Sequence, residues 1–194
     1  SGLGSPKVDM VLNSNKKDLV IPAKWLKVIQ KPDGSWKKII FYNTSIGPIL
    51  HYRDKMLGKI KEVLEIFKEN QEDVVLLWRP HPLMTATIES MHPRLLGEYQ
   101  NVVDGYRAEG WGIYDDTPDM NRAILVSDAY YGDSSTSVVH LYSLTKKPIL
   151  TQNPDVTDDS LCSFLDSVKA GSRKEYGGET GLVGKQIWDS IVNI

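Results

Sequence analysis

The chain has 194 residues, of which 41% are hydrophobic and 25% charged, and its net charge is −2. That is enough for one large domain with its own core, or at a stretch two small ones. The near-neutral balance argues against a whole-molecule nucleic-acid binder. The single Cys162 excludes an internal disulfide framework and a cysteine-based metal cluster and suits a reducing, cytoplasmic compartment, while no run of about 18 apolar residues offers a membrane span.

In chain order, residues 1 to 40 come first, with eight Lys against three Asp. Such an arm is either a solvated face or a contact for an acidic partner or the anionic inner face of the plasma membrane. Ser1-Gly2, without an initiator Met or a signal peptide, reads as the start of an excised piece. Residues 1–35 are expected to form a linker and basic helical lead-in, and 36–194 the α/β domain proper. The turn Pro32-Asp33-Gly34 leads into a strand over Trp36 to Tyr42. Tyr52 to Asn70 follows as an amphipathic helix, with Met56, Leu57, Ile60, Val63, Leu64 and Phe67 on one side. The apolar run Val74 to Trp78 has the pattern of a buried parallel strand.

Helical sequence then runs from about Ala86 to Tyr106, interrupted by Pro93, before a short strand over Gly112 to Tyr114. Thr117-Pro118 caps a helix reaching about Val126. Strand Ala129 to Gly132, helix Ser135 to Leu144 and strand Pro148 to Thr151 come next, then a helix start at Asp158-Asp159-Ser160 and a last helix from about Gly184 to Val192. This alternation predicts a doubly wound, Rossmann-like parallel sheet, in which ligands bind where strand C-termini meet helix N-termini. The strand exits are therefore the candidate sites: Asn43-Thr44-Ser45, Arg79-Pro80-His81-Pro82, Asp115-Asp116-Thr117 and Asp133-Ser134-Ser135-Thr136.

Two of these exits are the most informative. Unpaired N–H groups and the dipole at a helix start attract anions, and the hydroxyls of Ser134, Ser135 and Thr136 add donors without bulk; the alternative is that one of them simply caps the helix. Prolines 80 and 82 stop the sheet and stiffen its exit, presenting the planar fork of Arg79 and the imidazole of His81 to the crevice. Here the alternative is a strand-end turn whose Arg pairs with a carboxylate. Asp115, Asp116 and Asp119 surround a helix start, where carboxylates complement the dipole, so no metal site is expected from them. His51 and His92 suit surface or capping roles. The five Trp are scattered as packing residues rather than as a platform for bases.

Gly4-Ser5-Pro6-Lys7-x-Asp9, the strand ending near Thr44-Ser45, Arg79-x-His81-Pro82, Ser127-Asp128 with Gly132-Asp133-Ser134-Ser135, and Lys147-Pro148-Ile149 follow one another in an order that resembles the C-terminal half of CDP-glycerol glycerophosphotransferases. These are the teichoic-acid and capsule polymerases of the GT-B superfamily. The resemblance spans nearly the whole chain. It implies that this chain is the donor-binding half of a transferase, with CDP-glycerol or another nucleotide-activated donor as ligand, a cell-wall or capsular polymer as acceptor, no cofactor, and a missing N-terminal domain that receives the acceptor.

By the same resemblance, Arg79 and His81 are the catalytic pair and contact the donor diphosphate, while Asp133, Ser135 and Thr136 lie against the donor phosphates alongside Thr44, Ser45 and Ser134. His140 stands where the family places a carboxylate for the ribose; a neutral imidazole accepts one hydrogen bond where a carboxylate accepts two, so the ribose is held differently or the donor differs. The implied reaction is in-line attack of an acceptor hydroxyl on the β-phosphorus of CDP-glycerol with departure of CMP, assisted by His81 as general acid. Two other classes remain open. One is a glycosyltransferase or epimerase-like enzyme using a UDP-hexose, the other a non-catalytic α/β interaction module.

Overall fold

A central strand with its neighbours running the same way on both sides sets the architecture. The structure, a computed structural model, describes residues 20–156 and 159–171. The opening Gly4 to Asp9 segment and the helix expected over 184–192 lie outside those residues. Five strands form an all-parallel sheet: β1 (Lys38–Thr44), β2 (Val74–Pro80), β3 (Ile113–Tyr114), β4 (Ala129–Gly132) and β5 (Ile149–Thr151), in the spatial order β3-β2-β1-β4-β5. Eight helices are described: α1 (Ala23–Ile29), α2 (Ile46–Tyr52), α3 (Asp54–Glu69), α4 (Met84–Met91), α5 (Pro93–Glu109), α6 (Met120–Val126), α7 (Ser137–Ser143) and α8 (Asp159–Lys169).

Strand alternation divides the core in two. Ile40, Tyr42, Leu76, Trp78 and Tyr131 face one way, onto apolar residues of α2 to α5 and α8. Ile39, Phe41, Val75, Leu77, Ile113 and Tyr130 face the other way, onto α1, α6 and α7. This is a doubly wound, Rossmann-like α/β fold. The lead-in contributes to it directly, since Trp25 and Ile29 of α1 are buried against the second face. Phe41, Tyr130 and Tyr142 form an aromatic cluster there, with Phe41 edge-on to Tyr130 at 5.7 Å.

The boundaries shift for local reasons. β1 starts at Lys38 because Trp36 instead makes an isolated antiparallel bridge to Gln30. β2 continues through Pro80, whose register partner is Thr44, and the next N–H, that of His81, donates to the Thr44 carbonyl at 2.8 Å. The helix expected over Tyr52 to Asn70 is α3, and a short helix not expected from the sequence, α2, precedes it, the two parted at Arg53, whose φ of 51° ends α2 and starts α3. Pro93 interrupts the next helical stretch as expected and occupies the first turn of α5, where its missing N–H costs nothing. α6 is capped by Asp119, which accepts from the Arg122 N–H, rather than by Thr117. Among the described residues no helix is long and apolar enough to cross a membrane.

Candidate functional site

The strand order reverses between β1 and β4, because β1 connects outward through α2 and α3 on one face while β4 is reached through α6 on the other. A crevice opens at such a switch point, outside the strand C-termini. Its walls are the exits of β1 and β4, with the exit of β2 alongside. Gly132 ends β4 with φ +150°, and a Cβ there would come within 2.3 Å of the Asn43 carbonyl oxygen. Only glycine lets the two strands stay paired while the chain turns into Asp133.

Asp133 ties the exits together. Its Oδ2 accepts from the Ser45 N–H at 2.5 Å and from the Ser45 hydroxyl at 2.8 Å, and its Oδ1 accepts from Gln152 Nε2 at 2.6 Å. Its carbonyl receives the Tyr130 hydroxyl at 2.8 Å. Gln152, just beyond β5, accepts in turn from the Tyr42 hydroxyl at 3.0 Å. One buried carboxylate therefore joins the ends of β1, β4 and β5. Burial raises its pKa above the usual carboxylate range, and the bonds from Gln152 and Ser45 oppose that shift without cancelling it.

Arg79 is 7% exposed, and its guanidinium donates from Nη1 to Asp115 Oδ2 at 2.6 Å. Asp115 is further satisfied by the Thr117 N–H and hydroxyl at 3.0 and 2.7 Å. Its neighbours are also engaged: Asp116 pairs with Arg107, and Asp119 caps α6. Arg79 is thus held at the β2–β3 side of the rim with its charge balanced within the protein. Its remaining guanidinium nitrogens make no hydrogen bond among the described residues.

His81 is solvent-exposed, and its main chain is pinned to Thr44. The Leu83 N–H donates to its Nδ1 at 3.2 Å. With Nδ1 an acceptor, the proton of the neutral ring is on Nε2, the nitrogen free to meet a ligand. Ser134 is half-buried and Ser135 exposed beside Asp133, while Thr136 caps α7 by accepting the Val139 N–H at 3.2 Å. Thr44 is fully buried and its hydroxyl accepts from Trp78 Nε1 at 3.2 Å, so it supports the rim from beneath. His140 lies in the last turn of α7, exposed, away from the exit.

The structure thus gathers Thr44, Ser45, Arg79, His81, Asp133 and Ser134 at adjoining strand ends, with Ser135 and Thr136 continuing from them. Ser45 and Arg79 already spend donors on carboxylates of the protein. Sequence reasoning placed Asn43 at the β1 exit without giving it a binding role, and it missed Gln152, which meets Asp133 only through the pairing of β4 with β5. Among the described residues no group of three or more His, Cys, Asp or Glu is placed to hold a metal ion. A groove of about 150 Å³ lies elsewhere, between α3 and α5 near Lys68, Glu109 and Trp111, toward the opposite end of the sheet. No protein-family model matches the chain, and no curated protein matches it.

Proposed function

We propose that the crevice between the exits of β1, β2 and β4 binds the diphosphate of a nucleotide-activated donor, and that the chain is the donor-binding part of a transferase moving glycerol phosphate or a related sugar phosphate from a CDP-linked donor. The observation that carries this reading is the fixed imidazole of His81 beside the switch point. Its N–H and Nδ1 are both engaged by main chain, which leaves Nε2–H as an oriented donor for a phosphoryl oxygen. Ser134 and Ser135 offer hydroxyls on the other side of β1. Glycerol phosphate as the transferred group and CDP as its carrier rest on the resemblance of the motifs alone.

The geometry also narrows how His81 works. A protonated ring would carry a hydrogen on Nδ1, facing the Leu83 N–H that now donates to it. In the neutral ring Nδ1 accepts and Nε2–H donates, an arrangement suited to a hydrogen bond to developing phosphate charge.

Thermal denaturation with CDP, CDP-glycerol, UDP and inorganic pyrophosphate tests the reading. A ligand present at 100 times its Kd stabilises the fold by about 2.7 kcal/mol, a readily measured shift. Stabilisation by CDP and CDP-glycerol supports the proposal, preference for UDP ligands points to a hexose donor, and no response to any of them overturns it in favour of a non-catalytic module. His81→Ala should weaken CDP binding by about 1 to 3 kcal/mol in titration calorimetry while leaving the melting temperature of the free protein nearly unchanged.

A further inference from the structure

Asn43 is the penultimate residue of β1, between Arg79 on β2 and Gly132 on β4. It is 6% exposed, and its Nδ2 donates to the Arg79 carbonyl at 3.0 Å. That bond fixes the amide orientation, since the reverse would set two oxygens against each other. Asn43 Oδ1 then has no hydrogen-bond donor among the described residues, although it is closed off from water. A buried acceptor without a partner is unfavourable, and most such groups in folded proteins are satisfied. Alternation along β1 puts Asn43 on the same face as Ile39 and Phe41, and alternation along β2 puts Arg79 on that face with Val75 and Leu77. An unpartnered acceptor and a guanidinium with donors to spare thus stand one strand apart at the switch point. On the other flank Gly132 contributes no side chain.

We propose that Asn43 is a specificity-determining residue of the crevice, its Oδ1 accepting a hydrogen bond from an alcohol hydroxyl of a ligand whose phosphate lies toward Arg79. The inference rests on the reading of the crevice as a nucleotide-diphosphate site and deepens it by naming what the site selects: a hydroxyl within about one strand spacing, roughly 5 Å, of an anionic phosphoryl group. Two parts of an activated donor carry that chemistry, the ribose of the nucleotide and the polyol beyond the diphosphate. Because the oxygen is covered in the free protein, a side chain at the rim must turn aside to admit the hydroxyl. A site that offers a buried acceptor discriminates against analogues lacking the matching donor, because they leave the acceptor unpaired.

Titration calorimetry on the 194-residue chain separates the possibilities. The ligands are CDP, 2′,3′-dideoxy-CDP, CDP-glycerol and inorganic pyrophosphate, each measured with the wild-type protein and Asn43→Leu. The expected result is a tenfold or greater preference for one hydroxyl-bearing ligand that collapses in Asn43→Leu while pyrophosphate affinity is held. If CDP over dideoxy-CDP is the ratio lost, the hydroxyl belongs to the ribose; if CDP-glycerol over CDP, it belongs to the polyol. Either loss supports the assignment, and retention of both ratios in Asn43→Leu overturns it. Should Asn43→Leu fail to fold, the Asn43 side-chain amide resonances of the wild-type protein decide: they must move on adding the preferred ligand and stay with pyrophosphate. Binding of CDP with those resonances unmoved sinks the Asn43 assignment alone. Absence of binding by all four ligands removes the nucleotide reading and this inference together.

Discussion

Arg79 and Asp133 are both charged groups under the rim, and the protein accommodates them differently. Arg79 has a countercharge in Asp115, so truncating it would leave a buried carboxylate uncompensated, at a cost of about 3 to 5 kcal/mol. For that reason His81, rather than Arg79, is the informative position for binding studies. Asp133 has hydrogen bonds but, among the described residues, no cation within bonding distance, and burial raises its pKa. A carboxyl with a raised pKa in the folded state holds its proton more tightly there than in the unfolded chain. Its contribution is therefore most favourable below the ordinary carboxylate range and is lost as pH rises through the raised value. Relative to Asp133→Asn, the wild-type protein should lose stability as pH climbs from about 4 toward neutrality. Urea denaturation of both proteins across that range checks it, and parallel curves would show that Asp133 titrates normally. The hydroxyl cluster and Arg79-x-His81 were legible as candidates because residue type and strand-exit position suffice to pick them. That Ser45 would spend both donors on Asp133, and that Arg79 would pair with Asp115 through Nη1, was not, since those partners lie 88 and 36 positions away in sequence.

At the level of elements, α6 and α7 show how the second face is secured. α6 ends under the ammonium of Lys147, which donates to the carbonyls of Ile124, Leu125 and Ser127 at 3.0, 3.0 and 2.6 Å. A cation at a helix C-terminus is favourable for dipole reasons, and here it also satisfies carbonyls that have no partner within the helix. Lys147→Met keeps the aliphatic stem and removes the charge, and should lower stability by about 1.5 to 3 kcal/mol in urea denaturation. A loss below about 0.5 kcal/mol would mean that water replaces the ammonium. Lys147-Pro148 was read in sequence as the approach to a strand and as part of the family-like motif series, and its role at the end of α6 was not legible because its carbonyl partners lie some twenty residues earlier. Helices with strong apolar periodicity, such as α3, were read correctly. α2 was missed because Gly47-Pro48 has the composition of a turn, although Pro can occupy a first helical turn without losing a bond.

For the molecule as a whole, β1 is the keel of the sheet. It pairs with β2 over seven positions and with β4 over four, and Ile39, Ile40, Phe41 and Tyr42 have no exposure at all. Amide exchange should accordingly be slowest in β1 and β2 and faster in β3 and β5, which hydrogen exchange with mass-spectrometric detection can test. Equal protection of β5 and β1 would refute that ordering. The doubly wound class was legible because strands and helices alternate in sequence. The strand order was not, since no local pattern states whether β4 joins β1 or β3. The two outermost strands are only two and three residues long. Edges so brief offer a second copy of the chain hardly any backbone on which to extend the sheet, so the fold carries its own protection against lateral growth into fibrils.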